Sequence, residues 1–146
     1  MNNFEWSVKK SNKLSKARLG IISTPHGIIE TPAFIFCATK ASLKGITTDY
    51  AKLSKTQIIL SNTYHLMLQP GAETIAHQGG LHKFMNWSGP MLTDSGGYQV
   101  FSLGYGSVSN EIKGTKNNNK KSLLEINDNG AVFKSYLDGS IHLLTP

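Results

Sequence analysis

The sequence predicts an α/β fold built around a parallel sheet, and three observations carry that prediction. Short apolar runs at Phe34 to Phe36, Gln57 to Leu60 and Pro90 to Thr93 each end in a polar or small-residue tip. Stretches of helical character separate successive runs, and strand-like alternation brackets them at both ends of the chain. In folds of this alternating kind the C-terminal ends of the strands carry the site.

The elements follow in order. Phe4 to Val8 has an apolar residue at every second position and Ala17 to Ile22 is apolar-rich, so two strands flank a loop of lysine, serine and asparagine. Thr24-Pro25-His26-Gly27 reads as a turn, after which Ile28, Ile29 and Phe34 to Phe36 resume extended chain. Thr47 or Thr48 is placed to cap a short helix through Tyr50 and Leu53, with Asp49 near its positive end. Gln57 to Leu60 is compact and apolar like a buried parallel strand, and Ser61 to His65 follows as its polar tip. Gly71 to Gln78 and Leu81 to Trp87 read as two helical pieces parted by Gly79-Gly80, and Pro90 to Thr93 as the next strand. Gly104 to Ser122 changes character, with Asn117-Asn118-Asn119 set among four lysines. It reads as a flexible basic insertion, either a solvated loop or an RNA-contacting arm. Leu123 to Ile126, Ala131 to Leu137 and Ile141 to Leu144 then form an antiparallel meander with turns at Asn127 to Gly130 and Asp138-Gly139.

The bulk properties narrow the class. A chain of 146 residues with 39% apolar content suffices for one small domain or a piece of one. The formal charge of +6 favours an anionic partner, but Arg18 is the only arginine, and lysine attracts phosphate without the fork that reads bases. Cys37 is alone, which excludes an intramolecular disulfide and a cysteine zinc cluster within the chain and fits a reducing, cytoplasmic setting. No apolar run approaches the ~20 residues that span a bilayer, so no membrane association is expected.

The richest stretch chemically is Thr93-Asp94-Ser95-Gly96-Gly97-Tyr98-Gln99, where an apolar run turns at a carboxylate, a hydroxyl and two glycines. Asp94 at a strand tip suits a general base or a reader of the N–H edge of a planar heterocycle; the plainer alternative is a turn cap. Ser95 has no histidine at a diagnostic spacing, which argues against a serine nucleophile. Tyr98 suits stacking on a base, or a half-buried core position. Asp138 would complete a carboxylate pair or simply occupy its turn. His65, His77 and His82 lack the spacing of a zinc-binding helix, so no metal site is expected.

Several motifs together resemble one family, the tRNA-guanine transglycosylases, or queuine tRNA-ribosyltransferases. They are Thr24-Pro25-His26-Gly27, Thr31-Pro32-Ala33-Phe34, Asn62-Thr63-Tyr64-His65-Leu66-Met67-Leu68, Thr93 to Phe101 and Phe133 to Pro146. The resemblance implies a (β/α)8 TIM-type barrel with added antiparallel hairpins, in an enzyme that exchanges the wobble guanine of a tRNA anticodon for a 7-deazaguanine. It makes Asp94 the proton acceptor, places Asp94, Ser95, Gly96, Gly97 and Tyr98 in the base pocket, and sets Asn62 on the ribose side. Such a barrel takes ~250 residues, so residues 1–146 are expected to be its N-terminal part, an incomplete barrel. The family's nucleophilic aspartate and its zinc site of three cysteines and a histidine fall beyond this chain. No cofactor is therefore expected in it, and inactivity alone is. A separately encoded C-terminal portion is the partner this reading calls for; a non-catalytic deazaguanine- or tRNA-binding partner and a gene remnant without function are the alternatives. Cys37 and Ala38 stand where the family has Val-Gly, and Gln69 where arginine is frequent.

Overall fold

The computed structural model describes residues 4–105 and 123–145. The chain opens with an antiparallel sheet of β1 (Glu5–Ser11), β2 (Arg18–Thr24) and β3 (Gly27–Thr31), in that spatial order. A bulge between Val8 and Lys10 breaks the β1–β2 ladder. The ring of Trp6 lies across Gly20, where an added Cβ would fall 2.3 Å from Trp6 Cη2. Thr24 closes the next turn with its hydroxyl, which donates to the Gly27 carbonyl at 2.9 Å and accepts the His26 N–H at 3.1 Å. That is the hydroxyl chemistry expected of a tight turn.

The second sheet is parallel and short. It contains β4 (Phe36–Cys37), β5 (Ile59–Ser61) and β6 (Met91–Thr93), ordered β4-β5-β6, with Cys37 opposite Leu60 and Leu60 opposite Leu92. Between β4 and β5 runs α1 (Thr48–Leu53), whose N-cap is Thr47, its side chain accepting from the Tyr50 N–H. Between β5 and β6 come α2 (Thr63–Leu68), α3 (Ala72–His77) and α4 (Leu81–Met85). Gln57 is not a ladder residue: its amide accepts from the Glu30 N–H at 2.7 Å and donates to the Glu30 carbonyl at 3.4 Å. This reciprocal pair fastens β3 to the segment leading into β5.

After β6, α5 (Gly97–Tyr105) follows, and the described chain ends in a third sheet, antiparallel β7 (Leu123–Asn127), β8 (Gly130–Lys134) and β9 (Ile141–Leu144). Two apolar clusters hold the layers together. One gathers Ala38, Leu43, Ala51, Ile59, Met85 and Trp87 around the parallel sheet and its helices. The other joins Tyr64 of α2, Val100 of α5 and Phe133 of β8, with the Tyr64 and Phe133 rings 5.0 Å apart. Burying Phe133 to this extent is worth about 2–3 kcal/mol, and it fixes the third sheet against the helices that carry the strand tips.

The molecule is therefore α/β, with a three-stranded parallel sheet between two antiparallel ones. Two expectations need correction. Ser61 to His65, expected as a polar tip, divides instead between the end of β5 and the start of α2 at Thr63, with Ser61 and Tyr64 buried. Gly104 does not open the insertion: α5 runs through Tyr105, and the remainder of the basic stretch, residues 106–122, lies outside the described residues. Among the described residues no helix is long and apolar enough to cross a membrane.

Candidate functional site

The tips of β5 and β6 are neighbours because the strands are parallel and paired, Ser61 opposite Thr93. Each chain leaves its strand at the same end, so Asn62 and Thr63 come beside Asp94 although they are more than thirty residues apart in sequence. The Asp94 carboxylate accepts three hydrogen bonds. Asn62 Nδ2 donates at 2.6 Å and Gln99 Nε2 at 3.1 Å, both to Oδ2, and the Thr63 backbone N–H donates at 2.8 Å to Oδ1. The Thr63 hydroxyl also donates to the Asp94 carbonyl oxygen.

This geometry explains local features that neither strand explains alone. Asn62 occupies the N-cap position of α2 and makes no side-chain cap bond there; its Nδ2 instead donates to Asp94. Asp94 supplies the missing acceptor for the first helical N–H from another strand. Partial burial pushes the Asp94 carboxyl up, but the bonds from Asn62, Thr63 and Gln99 outweigh it and hold the group below the usual carboxylate range. At neutral pH the site therefore presents an anion. A carboxylate offers about four lone-pair directions, and three are filled, so one acceptor direction is left for an incoming N–H.

The residues after Asp94 have distinct surroundings. Ser95 is exposed, and its hydroxyl accepts from the Gly97 N–H at 3.3 Å, so it shapes the turn rather than facing a base that would activate it. Gly96 is buried at a φ of +74°, and a Cβ there would fall 3.2 Å from the Tyr64 backbone nitrogen. Glycine is required by both the conformation and the contact. Gly97 starts α5, and Tyr98 stands on its first turn with 69% of its surface exposed. Of the two alternatives for Tyr98, stacking on a base or a half-buried core position, the exposure is at odds with the second.

Gln99 is the residue that sequence reasoning left out of the site. Its Nε2 holds Asp94, and its Oε1 is buried with no hydrogen-bond partner among the described residues. Thr63 was likewise not singled out, since its contribution is a backbone N–H aligned by strand register. His65, on the same helix as Thr63, makes its side-chain hydrogen bond elsewhere: its Nδ1 lies 3.3 Å from the Tyr136 hydroxyl. Burial first, and then the charge of Lys40, lower its proton affinity against a smaller opposing effect of Asp94. Lys40 Nζ donates to Gln69 Oε1 at 3.4 Å. Asp138 stays in its turn, accepting from Ser140, whose hydroxyl and N–H hold its carboxyl down to about 2. Cys37 ends β4 with an exposed thiol. Among the described residues no three His, Cys, Asp or Glu side chains gather as a metal-holding group.

Comparison with known proteins gives a consistent picture. A family model described as queuine tRNA-ribosyltransferase matches residues 12–146. The chain is similar to proteins of that name from Roseiflexus sp. (strain RS-1), at 53% identity over 134 residues, and from Chlamydia caviae, at 50% over 143 residues. It is 47% identical over 146 residues to the one from Caldanaerobacter subterraneus subsp. tengcongensis. These alignments cover 90%, 97% and 100% of this chain but only 34%, 37% and 34% of the respective relatives. The chain thus spans about a third of the length of the curated relatives it matches.

Proposed function

Since the chain belongs to the queuine tRNA-ribosyltransferase family, we propose that it forms the base-recognition part of a tRNA-guanine transglycosylase site, on the first strands of a (β/α)8 barrel. The observation that carries this reading is the Asp94 carboxylate, held ionised by three donors at the joined tips of two parallel strands.

The reaction exchanges one base for another on a tRNA ribose. The N-glycosidic bond to guanine breaks, a bond forms from the same anomeric carbon to the 7-deazaguanine, and guanine leaves with a proton that the incoming base gives up. In this scheme Asp94 accepts that proton, since one of its acceptor directions is open. Tyr98 offers its exposed ring for stacking on the base, and Ser95, Gly96 and Gly97 make the turn that lets backbone approach it. Asn62 fixes the carboxylate and lines the ribose side. Developing positive charge on the ribose calls for a second carboxylate as nucleophile. Asp138 sits in a hairpin turn with Ser140; the family resemblance assigns the nucleophile to the rest of a full-length member, and on this reading residues 1–146 do not turn over by themselves. The family's zinc site requires three cysteines, which a chain containing only Cys37 cannot supply, and no step here is routed through zinc. A cytoplasmic setting completes the reading.

Calorimetric titration of the chain with 7-aminomethyl-7-deazaguanine tests it, alongside an exchange assay with labelled guanine and tRNA. Binding without turnover, lost in Asp94→Asn, is the expected result. Absence of binding overturns the pocket assignment, and turnover by the chain alone overturns its inactivity.

A further inference from the structure

The opposite end of the parallel sheet carries a second cluster that the proposed chemistry does not use. His26 of the β2–β3 turn and His82 of α4 stack with ring centroids 3.7 Å apart and planes inclined by 13°. They line a cavity of about 540 Å³ together with Lys52, Lys83, Asn86 and Ser88. Asn86 and Ser88 precede β6, whereas Asp94 follows it, so the strand separates this cavity from the site already described.

Leu81 and Trp87 give the lining a large apolar part, and its polar part is cationic and rich in donors. Two lysines, two imidazoles, an amide and a hydroxyl face one space, and no carboxylate lines it. Asp49 comes closest to compensating these charges, 3.5 Å from Lys52 Nζ in a pair exposed to solvent and therefore weak. Lys83 lies along the backbone at Gly79, where a Cβ would fall 2.7 Å from its Cδ, so its stem is laid down beside the cavity.

The geometry points to a binding site for a phosphate-type oxyanion between His26, His82, Lys52 and Lys83. His82 Nε2 lies 3.1 Å from the Gly89 carbonyl, which makes that nitrogen the proton carrier and leaves Nδ1 as a lone pair in the neutral ring. Burial and the neighbouring His26 disfavour the charged form of His82. A bound anion reverses that preference, and protonated Nδ1 then becomes a donor to it. Anion binding and proton uptake are thereby linked: binding tightens as pH falls toward the ordinary histidine range. Of the titratable groups around the cavity, His26 from the β2–β3 turn acts on His82 directly; Lys52 from α1, with its partner Asp49, and Lys83 on the same helix share the lining.

The test uses the 146-residue chain and sulfate, whose charge is fixed between pH 5 and 8, with ionic strength held constant by chloride. The histidine ring signals are followed by NMR. Saturating sulfate is expected to raise the His82 titration midpoint by roughly half a pH unit, about threefold tighter binding to the protonated ring. His142 on β9 is the internal reference. Lys83→Ala and Lys52→Ala should each weaken sulfate severalfold, while Lys134→Ala on β8 should leave it unchanged. A midpoint that moves no more for His82 than for His142, or lysine variants with unaltered affinity, overturns the proposal. A phosphodiester dinucleotide distinguishes the source of the anion. Saturable binding in competition with sulfate supports a nucleic-acid backbone, sulfate binding alone supports a free dianion, and binding of neither overturns the site.

Discussion

Replacing Asp94 by asparagine keeps its shape and removes its charge, which isolates what the carboxylate does for the fold. Three donors converge on it: Asn62 Nδ2, the Thr63 N–H and Gln99 Nε2. A charge-assisted hydrogen bond is worth about 1 kcal/mol more than a neutral one, so three give about 3 kcal/mol. Partial solvent access and rotation of the Asn62 and Gln99 amides reduce this to about 2 kcal/mol. For a domain near this size that lowers the melting temperature by about 4–8 °C.

The pH dependence follows from the direction of the shift. The folded-state carboxyl titrates below its usual value, whereas the unfolded one titrates near ~3.9. Its stabilisation is therefore fully present above about pH 4 and is lost as the pH falls through the lower, folded value. Urea denaturation at pH 7, 4 and 3, followed by tryptophan fluorescence, measures both quantities. The gap between parent and Asp94→Asn should be near 2 kcal/mol at pH 7 and should shrink at the lowest pH. A gap under about 0.5 kcal/mol at pH 7, or one that survives acidification, refutes the reasoning.

Two further outcomes test the packing around the site. Burial first, and then Tyr136, push the Tyr64 hydroxyl up to about 12. In a spectrophotometric titration, one of the five tyrosines should stay protonated through pH 11 while the chain is folded; its stabilising effect is complete below about pH 10 and is lost as the pH rises toward the folded value. Phe133→Ala should cost about 3–4 kcal/mol in urea denaturation, because the ring is buried between Tyr64 and the stacked His142; a cost below about 1 kcal/mol would mean that the third sheet is held by something else.

Much of the fold was legible because local chemistry determined it. Thr47 caps α1 as its position before Tyr50 suggested, and the Gln57 to Leu60 and Pro90 to Thr93 runs became β5 and β6 with boundaries shifted by one or two residues. At both edges the flanking residue has bonds of its own: the Gln57 side-chain amide pairs with the Glu30 backbone, and Pro90, which has no N–H to give a ladder, accepts at its carbonyl from Trp87 Nε1 at 3.0 Å and from the Ile59 N–H at 3.4 Å. The helix at Thr63 was not legible, because its N-terminal acceptor comes from Asp94 on another strand. The helix at Gly97 was hidden for a different reason. Two glycines and an aromatic residue are poor helix signals, and packing of Val100 against Tyr64 and Phe133 overrides them. Within the site, Asp94 and its glycines stood out from residue type alone. Gln99 and Thr63 did not, since their importance lies in where strand pairing places them. The His26–His82 stack joins a turn to a helix more than fifty positions away and left no local signature.

The distance in sequence between the two strand tips also orders events in time. Contacts within the β1–β2–β3 meander close short loops, whereas joining Asn62 and Thr63 to Asp94 closes loops of 32 and 31 residues. Loop-closure entropy adds about 0.6 kcal/mol per doubling of length, so the hairpins can form on their own and the tips must wait for the layers between them. The Thr63 amide hydrogen, bonded to Asp94, is a single-atom clock for the site: its exchange with solvent reports when the two tips part.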